Sequence, residues 1–177
     1  AMAAIETAKM ARCFFDFRDM AKGYAANAYP YTPSVGLLNG LKVATNMLLE
    51  EGIDNVIARH ARIATGVRAA VHGWGLKLCA TKPEWYSDTV SAIVVPEGFN
   101  ATDIVTRAAN VYGTAFGTGL GQVAGQVLRI GHLGSLTEAM ALQAIPTAET
   151  VLVDFHLPIP LARGCATAQE YYRPTLD

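Results

Sequence analysis

The stretch that most constrains this chain is Gln126-Val127-Leu128-Arg129-Ile130-Gly131-His132-Leu133-Gly134, followed by Ser135-Leu136-Thr137-Glu138. An aliphatic, strand-like run carries one arginine in its midst. Two glycines then punctuate a turn, and a helix start follows. Ser135 and Glu138 have the spacing of a capping box, in which the hydroxyl takes the N3 amide and the glutamate reaches back to the N-cap amide. The stretch therefore predicts strand, turn and helix. An arginine at that point of a strand has two local readings. It pairs with an acid at a sheet edge, or it faces a cleft where its planar fork suits a carboxylate or phosphate.

The rest of the chain supplies the partners for that unit. Residues 1–12 read as helix, with Met2, Ile5, Ala8 and Met10 set among Glu6, Lys9 and Arg12. Cys13-Phe14-Phe15-Asp16-Phe17 is an aromatic cluster suited to packing, or to lining a pocket. Lys22 to Tyr31 reads as irregular. Thr32 and Pro33 then signal a helix entry as N-cap and N1. Leu37, Leu38, Leu41, Ala44, Thr45 and Leu48 recur at helical spacing up to Glu50-Glu51-Gly52. A second helix runs from Asp54 to about Gly73, with Val56, Ile57, Ile63, Val67, Ala70 and Val71 on one side and Arg59, His60, Arg62 and Arg68 on the other. His60 and His72 have no companions at ligand spacing and read as ordinary helix residues.

After Trp74-Gly75 the pattern turns β-like, at Leu76–Ala80 and Val90–Pro96. Asn100 and Asp103 open a short helix to about Val111, and the Arg129 strand and a helix over 136–148 follow. Strand, strand, helix, strand and helix make an α/β unit of about a hundred residues. Val151 to Asp177 reads as a surface wrap or a short terminal helix.

Composition narrows the function classes. A net charge of −1 and a pI near 6.5 give no electrostatic draw toward nucleic acid or anionic membranes. The apolar runs are far shorter than the ~20 residues a spanning helix needs. Cys13, Cys79 and Cys165 form neither a metal pair nor a disulfide framework, and a cytoplasmic setting is expected. A hydrophobic share of 51% against 16% charged is high for a free-standing domain. It points to a large buried interface or to a piece of a larger protein. An opening inside a helical pattern, without a leading methionine or cap, fits the second. Gly117, Gly119 and Gly121 alternate but fail the dinucleotide fingerprint, and no Walker lysine accompanies them. They are expected to form a flexible turn. No paired carboxylates, zinc spacing or Ser/His/Asp order stands out.

Several stretches taken together resemble one family. They are Tyr29-Pro30-Tyr31-Thr32-Pro33, the helix through Leu48-Leu49-Glu50-Glu51-Gly52, the Arg59-His60 segment, and Gly119-Leu120-Gly121 followed by the 127–134 run. In order and spacing they are similar to the class V pyridoxal-phosphate aminotransferases, in particular the serine–glyoxylate and alanine–glyoxylate enzymes. The tail from Leu157 to Tyr172 is similar to the bacterial serine–glyoxylate branch.

The resemblance implies an α/β protein of fold-type I, aspartate-aminotransferase-like, of which this chain is the C-terminal half. Residues 1–50 would end the large domain and carry the dimer-interface and cofactor-phosphate segment. Residues 51–150 would be the small α/β domain, and 151–177 a tail. It implies pyridoxal 5'-phosphate as cofactor, a homodimer or higher homo-oligomer, and small amino-acid and 2-oxo-acid substrates. No nucleic acid or membrane partner is implied. Arg129 would bind the substrate carboxylate, while Tyr29 and Thr32 would reach the cofactor phosphate of the other subunit.

The lysine forming the Schiff base is expected upstream, because Lys9, Lys22, Lys42, Lys77 and Lys82 lack its Ser-x-Lys context. The implied reaction moves an amino group from serine or alanine to glyoxylate in a ping-pong cycle, with this chain inactive alone. A fold-type I lyase or desulfurase, and a non-catalytic interaction module, are the alternatives.

Overall fold

The computed structural model describes residues 2–173 and divides the chain into two units, Ala1–Glu51 and Gly52–Asp177. Ala1 and residues 174–177 of the expected tail lie outside the described residues.

The first unit holds three helices: α1 (Met2–Thr7), α2 (Phe17–Ala25) and α3 (Val35–Glu51). Helix α1 stops well short of residue 12. Arg12 instead turns back to the Ile5 carbonyl and pairs with Asp16. Helix α2 runs out of the aromatic cluster and takes in only the start of the stretch expected to be irregular, from Lys22 to Ala25. Its cap is Asp16, whose carboxylate accepts the Arg18 amide at 3.0 Å and holds the Arg18 guanidinium at 2.7 Å. That guanidinium, with the Arg18 amide, keeps the Asp16 carboxyl well below the usual carboxylate range. Helix α3 begins two residues later than Pro33, its first turn closing from the Leu38 amide to the Ser34 carbonyl. Thr32 is thus not its N-cap. Phe14 and Phe15 stay largely exposed rather than packing into a core.

The second unit is built on a long helix, α4 (Ile53–Gly73), which buries Ile63, Val67, Ala70 and Val71. The remaining elements are β1 (Lys77–Leu78), β2 (Val90–Val94), α5 (Ala101–Tyr112), β3 (Gly117–Thr118), β4 (Val127–Gly131), α6 (Glu138–Asp154) and α7 (Arg163–Tyr172). The strands form one antiparallel sheet in the order β1-β2-β4-β3. Antiparallel strands can leave one face open, and here α4 packs on β2 and α5 on β4. Ile93 and Leu128, paired across β2 and β4, point into that core with Ile104, Ile145 and Leu152, all at most 1% exposed.

Three local expectations shift. Helix α6 is capped by Thr137, whose hydroxyl accepts the Met140 amide, not by Ser135. Glu138 therefore stands at N1, where it cannot reach back, and Arg62 of α4 takes its carboxylate at 2.5 Å. The helix also runs past Ala148 and carries Pro146 in its interior, because Ile145, Ala148, Val151 and Leu152 are anchored in the core. In the glycine-rich stretch, β3 and a single 3-10 turn, Gly121–Val123, replace the expected flexible turn. A Cβ at Gly119 would strike the Val123 carbonyl. That glycine serves close backbone approach, not a phosphate cradle.

Candidate functional site

Arg129 sits on β4, an interior strand, so the edge-pairing reading falls away. Its neighbours Leu128 and Ile130 alternate with it and are buried against the helices. Arg129 therefore occupies the opposite face, flanked by Ala92 of β2 and Gly117 of β3. Its Nε is buried without a hydrogen-bond partner, and no described acid pairs with it. A guanidinium partly sunk in a sheet with no counter-ion is costly unless something else supplies the negative charge.

The turn that follows β4 is held from α4. His60 accepts the Gly134 amide on Nε2 at 3.1 Å, while its Nδ1 lies 2.7 Å from the Val56 carbonyl. The carbonyl can only accept, so Nδ1 carries the proton and the ring is neutral. Arg59 donates to the Gly134 and Leu136 carbonyls at 2.9 and 3.0 Å. His132, 1% exposed, is held by the Ser91 hydroxyl on Nε2 (2.9 Å) and the Asp88 carbonyl on Nδ1 (3.2 Å). Burial pushes its pKa down, favouring the neutral ring. Arg68 on α4 pairs with the Asp88 carboxylate at 3.2 Å. The helix thus grips both sides of the strand end that carries Arg129. The resemblance marked Arg59-His60, but the periodicity of α4 showed only a polar face. The partners are some 75 residues away in sequence and could not be read from it.

In the first unit, Tyr29 and Thr32 line one cleft of about 790 Å³ together with Phe14, Tyr24, Tyr31 and Ser34. Phe14 stacks on Tyr31 at 5.2 Å, and its amide donates to the Tyr31 hydroxyl at 3.3 Å. Tyr29 is 66% exposed. Three tyrosines, the hydroxyl-bearing Thr32 and Ser34, and the first turn of the 17-residue α3 line this cleft. Such donors match a phosphate group. Arg129 belongs to the second unit and Tyr29 and Thr32 to the first. Among the described residues no cluster of His, Cys, Asp and Glu could hold a metal ion, and no helix is long and apolar enough to cross a membrane.

No family model matches the chain. It is 66% identical over 175 residues to the L-aspartate–glyoxylate aminotransferase of Paracoccus denitrificans (strain Pd 1222), covering 99% of this chain and 44% of that one. It is 52% identical over 164 residues to the serine–glyoxylate aminotransferase of Hyphomicrobium methylovorum, covering 93% and 40%. The chain thus spans less than half the length of these relatives. Among solved structures, the pyridoxamine–pyruvate aminotransferase from Mesorhizobium loti superposes with a TM-score of 0.77 at 32% identity, covering 81% of this chain and 37% of that one. The ureidoglycine–glyoxylate aminotransferase from Bacillus subtilis matches in fold with a TM-score of 0.86, at 20% identity over 96% of this chain and 44% of its own. The fold is that of the fold-type I pyridoxal-phosphate enzymes, and the chain belongs to the class V aminotransferases, matching a partial, C-terminal region of its relatives.

Proposed function

We propose that the full-length protein is a pyridoxal-phosphate-dependent transaminase that passes an amino group from a small L-amino acid to glyoxylate in a ping-pong cycle. The observation that carries this is Arg129: a cation on an interior strand, its Nε buried without a hydrogen-bond partner and no acid paired with it among the described residues. Its two remaining nitrogens form a fork for the carboxylate common to amino donor and 2-oxo acceptor. Holding that carboxylate fixes where the substrate's α-carbon lies, which is the orientation a proton transfer at that carbon needs. The names of the relatives support glyoxylate as acceptor, with serine or alanine as donor and L-aspartate as a further candidate.

The first unit's cleft fits the cofactor's phosphate. Tyr29 and Thr32 would donate hydroxyl protons to it, and as in the resemblance the phosphate would belong to the other subunit of a homodimer or higher homo-oligomer. When bound, pyridoxal phosphate supplies the electron sink for breaking bonds at the α-carbon. The units Ala1–Glu51 and Gly52–Asp177 would then be the end of the large domain and the small domain with its C-terminal tail. A cytoplasmic location accompanies this reading.

The test uses the full-length enzyme loaded with cofactor, glyoxylate as acceptor, and L-serine, L-alanine and L-aspartate in turn. Arg129→Ala is expected to raise KM for both the preferred donor and glyoxylate by roughly a hundredfold, the size of a lost charged bidentate contact. Unchanged KM values for both substrates would remove Arg129 from the carboxylate site.

A further inference from the structure

Gly117 is the direct cross-strand partner of Arg129 in the β3–β4 pair. A Cβ at residue 117 would lie 3.2 Å from the Arg129 Cβ, 3.1 Å from its Nε and 3.3 Å from its Nη2. Those three atoms run the length of the arginine, so the whole side chain lies across the glycine. The backbone of Gly117 is not in the left-handed region. Nothing in its conformation demands glycine; the space over it does. The same contact accounts for the sealed Nε, which is buried on the protein side with no acceptor.

We infer that Gly117 is a positioning residue for substrate binding: its bare backbone is the shelf on which the Arg129 guanidinium lies, directing the Nη1–Nη2 edge toward the carboxylate. This rests on the reading of Arg129 as the carboxylate-binding residue. Any side chain at residue 117 pushes the guanidinium off that line by a few tenths of an ångström. Sites that orient reacting groups lose binding and rate on displacements of that order. Alanine at 117 suits a strand as well as glycine does, so the defect falls on the arginine and not on the fold.

The experiment is a double-substitution cycle in the full-length, cofactor-loaded enzyme, comparing Gly117→Ala, Arg129→Lys and the pair. Gly117→Ala is expected to raise KM for both the amino donor and glyoxylate about tenfold, with the cofactor absorbance and Tm unchanged. In the Arg129→Lys background, where no planar group lies over residue 117, the same alanine is expected to add less than about twofold. An equal factor in both backgrounds, or unchanged KM values in Gly117→Ala, overturns the inference while leaving Arg129 in place. Arg129→Lys with unchanged KM values for both substrates overturns the carboxylate reading and this inference with it. If Gly117→Ala alone fails to fold, recovery of the fold in the double variant supports the shelf. Failure in both backgrounds overturns it.

Discussion

Trp74 and Glu149 meet in the core of the second unit: the indole Nε1 donates to the Glu149 Oε2 at 2.8 Å, and each residue is 2% exposed. The other carboxylate oxygen accepts the Ala162 amide at the start of α7. One buried side chain on α6 therefore ties the C-terminal end of α4 to the N-terminal end of α7.

Glu149 faces two donors, and a carboxylate has acceptors for both. In Glu149→Gln one amide N–H is set against an N–H, leaving a buried donor unpaired. A loss of about 1–3 kcal/mol in the full-length protein is expected by chemical denaturation. A change below a few tenths would show that the staple contributes nothing.

Tyr172 packs over Gly66, where an added Cβ would run into its ring, and its hydroxyl donates to the Ile63 carbonyl at 2.6 Å. That carbonyl keeps its helical acceptor role without the phenol, so Tyr172→Phe is expected to cost only about 1 kcal/mol. Gly66→Ala forces a methyl against a rigid ring and is expected to cost more, roughly 3 kcal/mol. Adding Tyr172→Ala to Gly66→Ala should cost less than the sum of the two single changes. Strict additivity would disprove the contact.

His132 makes stability depend on pH in one direction. Its folded pKa lies below the ordinary 6.5, chiefly because burial disfavours the charged ring. The unfolded chain therefore binds the proton more readily. Its contribution is fully present above about pH 6.5 and falls as pH drops below it. In full-length protein, His132→Asn is expected to flatten the acid side of the denaturation-midpoint profile below about pH 6.5. An unaltered profile would assign that slope to other groups.

Helix α3 has 17 residues and none is buried; Leu37, Leu41, Val43 and Leu49 are all at least 60% exposed. Apolar surface of that extent is ordinarily covered by protein. The 177-residue chain produced alone is expected to bind a hydrophobic dye such as ANS and to show no transamination. The full-length enzyme is expected to bind far less dye and to turn over. Turnover by the isolated chain would refute the upstream placement of the lysine.

The sequence by itself determined the elements whose signals are local. Helix α4, strands β2 and β4, the Asn100 cap of α5 and the helical face of α3 follow from hydrophobic periodicity and capping chemistry within a few residues. It also placed Arg129 on its strand. Where local signals competed, the three-dimensional structure decided. Ser135 and Glu138 carried the capping-box spacing, yet Thr137 caps α6, and the α4 arginine that draws off Glu138 is 76 residues away. Asp16 opened a helix that the aromatic cluster around it concealed.

The glycines show the division most plainly. Sequence read Gly117, Gly119 and Gly121 as one flexible turn, because spacing alone reports conformational freedom. Tertiary structure set Gly119 against a backbone carbonyl and Gly117 beneath Arg129. An absent side chain matters only through what comes to lie in its place. Here that is fixed by the register of two strands, and register is a property of the assembled sheet.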